Sequence, residues 1–157
     1  MSAPRPLRVV SGGQTGVDRA TLDAAAACGL ERGGWCPAGR GAEDGTIPAR
    51  YPLRETPSSE PAQRTEWNVR DSDATLVLSR QAPRGGTALA IAEARRLGRP
   101  LLALRLERGA NRHALARARA WLDAAEVRAL NVAGPRESEE PGVGGDALGF
   151  LRALLGA

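Results

Sequence analysis

The sequence contains no lysine: all 22 of its basic residues are arginine. It has one histidine, two cysteines and five aromatic residues, Trp35, Tyr51, Trp67, Trp121 and Phe150. No apolar run approaches the ~18 residues of a membrane-spanning helix, and Leu7–Val10 is too short for the apolar core of a secretory signal. A soluble cytoplasmic protein is therefore expected. Each scarcity removes a class of chemistry. Without lysine there is no Walker loop. His113 has no partner acid or cysteine in sequence reach, so no Ser-His-Asp or Cys-His arrangement can be argued, and it is read as structural or surface. Cys28 and Cys36 form neither a CxxC nor a zinc pattern; they are read as reduced thiols, and no metal ligands are assigned. Scattered aromatics do not form a stacking platform for single-stranded nucleic acid. The 18 acidic residues are interspersed with the arginines and leave a net charge of +4. With no long basic run, a nucleic-acid partner is not expected.

What is present is an apolar fraction of 42% over 157 residues, enough for the core of a single domain spanning 1–157. Apolar runs ending in glycine alternate with helical periodicity. Strands are expected at Leu7–Val10, Gly33–Cys36, Asp73–Ser79, Leu101–Leu106 and Val127–Val132, with a short edge strand at Tyr51–Thr56. Helices are expected over Thr15–Gly29, Glu60–Ser72 with Trp67 as its apolar anchor, Gly85 to about Leu97, after Asn111 through Trp121, and about Gly145 to Leu155. Thr15 and Asp18 resemble a capping box. The segment 38–65 is rich in Gly, Pro, Ser and charge, and long for a compact domain, which is usual for functional or mobile loops. Strands alternating with helices make this an α/β protein with a largely parallel sheet.

Three glycine turns follow three of these strands. Ser11-Gly12-Gly13-Gln14-Thr15-Gly16 is close to the GxGxxG fingerprint, with Ser11 in place of the first glycine. A helix N-terminus there offers free N–H groups and a partial positive charge to an anion, although strand two ends in Trp35-Cys36-Pro37, without the acid that would hold a dinucleotide's ribose. Arg84-Gly85-Gly86-Thr87 and Gly134-Pro135-Arg136-Glu137-Ser138 are the other two. In a parallel sheet all three lie on the carboxyl edge, where ligands bind. An anionic small-molecule ligand is the reading they share. Of the remaining polar residues, Asp18 is read as a cap, Glu43-Asp44 as a turn, and Cys36 as a small half-buried thiol near the crevice. Trp67 and Trp121 are read as core or subunit contacts.

The segments SGGQTGVDRA, GGWCPAGRGAEDGTIPARYPLRET, RTEWNVRDSDATLVLS, GGTALA and LNVAGPRES resemble the molybdenum-cofactor carrier family, a branch of the Rossmann-like group that includes the Lonely Guy phosphoribohydrolases and lysine-decarboxylase-like relatives. The resemblance runs from about Val9 to Ser138. It implies a three-layer Rossmann-like fold with about six strands in the order 3-2-1-4-5-6, Tyr51–Thr56 supplying strand 3. It implies a crevice between the strands ending at Ser11 and Ser79, a homo-oligomer, and a carried ligand of the molybdopterin type. Carried over by position, the binding candidates are Gly12, Gly13, Gln14, Thr15, Gly85, Gly86, Thr87, Arg136 and Ser138, with Trp35 and Asn68 at the rim. No catalytic residue is assigned. The phosphoribohydrolase branch resembles PGGxGTxxE, whereas Ala90 stands three residues after Thr87 and the first acid is Glu93. A nucleoside-monophosphate phosphoribohydrolase using the same crevice is the alternative.

Overall fold

The computed structural model describes residues 7–108 and 111–156. In chain order the elements are β1 (Arg8–Val10), α1 (Val17–Ala27), β2 (Glu31–Gly33), β3 (Trp35–Cys36), β4 (Gly41–Ala42), β5 (Gly45–Thr46), β6 (Arg54–Glu55), α2 (Pro61–Arg70), β7 (Ala74–Ser79), α3 (Gly85–Arg96), β8 (Leu101–Arg105), α4 (Arg112–Ala125), β9 (Ala129–Ala133) and α5 (Val143–Leu155). Five strands form one parallel sheet in the order β2-β1-β9-β7-β8. Helices cover both faces, the Rossmann-like three-layer arrangement expected from the sequence. β7 is buried at all six positions, because a parallel strand under two helical layers needs an almost continuous apolar run.

Strand alternation divides the core. Leu76, Leu78, Leu130 and Val132 join Val17, Ala20 and Ala24 of α1, Ala118 of α4, and Val143, Ala147, Phe150 and Leu151 of α5. The opposite layer is thinner: Val69 of α2 packs with Ala90 and Ala94 of α3. A third cluster, Leu22, Cys36, Ile47 and Tyr51, lies under the 38–56 segment. That segment is ordered largely by Arg40. Its guanidinium donates to the carbonyls of Ile47, Pro48, Tyr51 and Leu53 at 2.9–3.3 Å.

The strand order differs from the expected 3-2-1-4-5-6. Ala129–Ala133 does not extend the edge beyond β8; it lies between β1 and β7. Counted from β9 as a first strand, the sheet reads 3-2-1-4-5. Local apolarity marks a strand but carries no information on its neighbours, so position along the chain was misleading. The expected Gly33–Cys36 strand is broken at Gly34 (φ +132), where a Cβ would lie 2.3 Å from the Ser11 carbonyl oxygen. β3 beyond the break pairs with β6 in a separate two-stranded sheet, so the Tyr51–Thr56 region does not join the main sheet. No helix is long and apolar enough to cross a membrane among the described residues.

Candidate functional site

At the carboxyl edge of the sheet a crevice of about 180 Å³ opens around the end of β9. Gly12 and Gln14 from the first glycine turn, Gly85, Gly86 and Thr87 from the second, and Gly134 and Arg136 from the third all line it. The three turns therefore converge, but around β9, not directly between β1 and β7 as expected. α2 supplies the remaining wall through Arg64, Thr65 and Asn68.

The first turn is knotted by its own groups. The Ser11 hydroxyl, fully buried, donates to the Asp18 carbonyl at 2.8 Å. The capping box does not form: Gly16 is the N-cap of α1, with no side-chain cap. The Asp18 carboxylate instead accepts the Gln14 N–H at 3.2 Å and faces Arg64 Nη1 at 3.7 Å. Arg64 also donates to the Gly12 carbonyl at 2.9 Å. A Cβ on Gly12 would lie 2.5 Å from Arg64 Cδ, so the glycine lets the arginine cross. Burial raises the Asp18 pKa from 3.8 to about 6, against the opposing pull of Arg64. Arg64 and Asp18 line the crevice together, and a carboxyl that titrates near neutrality beside a cation in a cleft is a functional-site feature.

Donors of the first and third glycine turns are engaged by one carboxylate of the chain itself. Thr15 and Ser138 donate their hydroxyls to Glu43, and the Ser138 N–H adds a bond of 3.1 Å. Arg136 Nε lies 3.9 Å from the same carboxylate. These donors hold the Glu43 carboxyl below its ordinary pKa, the Ser138 and Thr15 hydroxyls contributing most. At the head of α5, Glu137 accepts the N–H groups of Gly142 and Gly144, filling that helix terminus.

The N-terminus of α3 is different. No side chain caps it, and its first turn has no acidic residue. Thr87 and Ala88 N–H groups turn back to the Arg84 carbonyl. Among the described residues, nothing accepts the N–H groups of Gly85 and Gly86. Space is open beside both glycines. Thr87, 6% exposed, lines the crevice with no hydrogen-bond partner for its hydroxyl among the described residues. Asn131, 3% exposed, donates its amide to Thr75 Oγ1 at 3.3 Å. It too lines the crevice, with its Oδ1 unpartnered among the described residues. Open N–H groups at a helix head beside polar side chains are donors of the type that an anion accepts from.

Of the other expected site residues, Gln14 and Asn68 stand on the crevice wall with side chains engaged within the chain, and Gly13 and Trp35 lie away from it. Gly13 (φ +81) faces the 38–56 segment, where a Cβ would meet Leu53 Cδ1 at 2.5 Å. The Gln14 side-chain oxygen accepts the N–H groups of Thr15 and Glu43. Asn68 clamps the Trp35 backbone, accepting its N–H at 2.7 Å and donating to its carbonyl at 3.0 Å. The Trp35 indole packs edge-on against Trp67 at 4.8 Å and donates to Asp71; neither indole lines the crevice. Cys36 is fully buried, its thiol pushed up by desolvation, and is not a crevice residue. Glu93 pairs with Arg96 on α3, away from the crevice. Arg64, Asn131 and Glu139 were missed. Arg64 was hidden in a segment read only as a helix, and Asn131 in a strand read only for its apolar neighbours.

Among the described residues no group of three or more His, Cys, Asp or Glu is placed to hold a metal ion. No curated protein matches the chain. The crystal structure of a protein described as a putative molybdenum carrier, from Syntrophus aciditrophicus SB, is similar to this chain at 38% identity and a TM-score of 0.93, over 98% of both chains. A family model described as the circularly permutated YpsA SLOG family matches residues 9–155, and a permutation accounts for a last strand, β9, standing at the centre of the sheet. On the match over nearly its whole length, the chain belongs to the circularly permutated YpsA family of SLOG proteins.

Proposed function

We propose that the crevice binds a phosphorylated small molecule, carried and not transformed, with molybdopterin-type cofactor as the cargo. The observation that carries this reading is the open head of α3: two free N–H groups, the Thr87 hydroxyl and Asn131 around one cleft. A phosphoryl group there would receive backbone hydrogen bonds without losing a competing internal partner. Arg136, which lines the crevice and pairs with Glu139 at 3.4 Å, would add a charge-assisted bond. The volume of about 180 Å³ is below that of pockets enclosing a whole drug-sized ligand. It fits the phosphate end of the cargo, leaving the ring system at the mouth. The molybdenum carrier description of the 38% identical relative supports the choice of cargo. The same reading takes the carrier to be a cytoplasmic homo-oligomer.

Gly86→Asp tests it. The new carboxylate has room beside Gly86 and favours the helix dipole, but it occupies the place of the phosphate. Wild-type protein is expected to retain pterin fluorescence and molybdenum on purification, and the variant to lose both while keeping its melting temperature. Equal pterin retention in the two proteins would move the cargo out of this crevice.

Asp18 favours a second reading, a nucleoside-monophosphate hydrolase. Its carboxyl, titrating near 6 on the crevice wall, could take a proton from an attacking water. Release of free base from nucleoside monophosphates, abolished in Asp18→Asn, would establish this reading over the pure carrier.

A further inference from the structure

The way Glu43 is held points to a second anion subsite that the chain occupies itself. Glu43 and Asp44 form the two-residue turn of the β4–β5 hairpin. The turn is fastened by polar contacts. Asp44 pairs bidentately with Arg19, and the Glu43 N–H donates to the Gln14 side chain at 3.0 Å. The Glu43 carboxylate enters a nest made by two separate loops: the Thr15 hydroxyl from the first glycine turn, and the Ser138 hydroxyl and N–H from the third, with Arg136 at 3.9 Å, a guanidinium that also pairs with Glu139 at 3.4 Å. Two hydroxyls, a backbone N–H and a guanidinium converging on one position are the donors that recognise a phosphoryl group.

Arg136 belongs to both places, since it lines the crevice and faces Glu43. The nest therefore adjoins the proposed carrier site. The hairpin is exposed along Glu43 to Thr46, and its apolar attachments are half-buried Ala42 at its base and buried Ile47 beyond it. Its tip can leave without opening a core.

We propose that Glu43 is an internal stand-in for a second phosphoryl group of the ligand, and that binding of this group displaces the hairpin from Thr15, Arg136 and Ser138. The inference rests on the carrier reading of the crevice and extends it: the ligand class becomes a compound with two phosphoryl groups, one at the head of α3 and one in the nest. Ligand loading then frees the tip of the β4–β5 hairpin from the nest.

Inorganic phosphate titrated calorimetrically into the full chain tests this. Wild type is expected to bind one phosphate tightly and a second only weakly, because the second must displace Glu43. Glu43→Ala is expected to bind two, the added site being at least roughly tenfold tighter than any second event in wild type. The added site should survive Gly86→Asp, which blocks only the head of α3, and disappear when Ser138→Ala is combined with Glu43→Ala. Retention of the second site in Gly86→Asp thus separates failure of the crevice reading from failure of this one. An unchanged stoichiometry in a Glu43→Ala protein with wild-type circular dichroism overturns the proposal. Should Glu43→Ala not fold, hydrogen exchange on wild type decides. Saturating phosphate must raise exchange within residues 41–46, and unchanged protection there overturns the proposal.

Discussion

Arg64 reaches across Gly12 to face Asp18, its Nη1 lying 2.9 Å from the Gly12 carbonyl oxygen and 3.7 Å from Asp18 Oδ2. The pair joins α2 to the start of α1 on the wall of the crevice. It leaves Asp18 a carboxyl that desolvation holds protonated more strongly than the cation can reverse.

Asp18→Asn is expected to stabilise the protein above pH 6. The folded-state pKa of about 6 exceeds the ordinary 3.8, so the folded chain holds this proton more tightly than the unfolded chain. The resulting stability is complete below about pH 4 and is lost as pH rises through 6. The full difference corresponds to roughly 3 kcal/mol. Asparagine keeps an acceptor for the Gln14 N–H and removes the desolvated charge, and the pKa of about 6 already includes the pull of Arg64, so a gain of about 1–2 kcal/mol is expected at pH 8. Little gain is expected at pH 4. Thermal melts of both proteins across this range check it; a lower melting temperature for the variant at pH 8 contradicts the assignment.

Gly13→Asp is expected to unfold or strongly destabilise the protein, by about 3 kcal/mol or more. Gly13 has φ +81, and a side chain would enter the space of Leu53 and Ile47. The first glycine turn alone would cast this change as a block to an approaching anion with the fold intact. Packing reverses that expectation. Chemical denaturation measures the loss; a wild-type midpoint would show that the 38–56 segment does not press on Gly13.

Arg40→Ala removes the guanidinium that gathers four backbone carbonyls of its own segment. A loss of about 2 kcal/mol is expected, set by bonds from a charged donor. The 38–56 segment should become the first site of limited proteolysis. Cleavage starting elsewhere would mean that the Ile47 and Tyr51 packing suffices to order it.

The α/β class, the strands at 8–10, 74–79 and 101–105, and the convergence of three glycine turns were legible because they depend on local patterns. An apolar run buried on both faces, a glycine at a strand end and a 3.6-residue period are properties of neighbouring residues. The Asn111 position at the head of α4 was legible for the same reason, although its side chain bonds back to Glu107.

Which groups face the crevice was decided only by the tertiary structure. The sequence marks Thr15, Arg136 and Ser138 as donors to a ligand anion; in the folded chain Thr15 and Ser138 donate to Glu43, 28 residues from Thr15 and 95 from Ser138, with Arg136 at 3.9 Å. Three glycine turns offer donors along the chain, yet Glu137 fills the helix head that follows the third, and the turn before α1 is closed by Asp18 and Ser11. The head of α3 remains open. Strand order likewise depends on pairing between residues about 120 apart, Val9 with Leu130. Local chemistry determined what each segment could bind; long-range packing determined which of those capacities the protein satisfies for itself and which it leaves to a ligand.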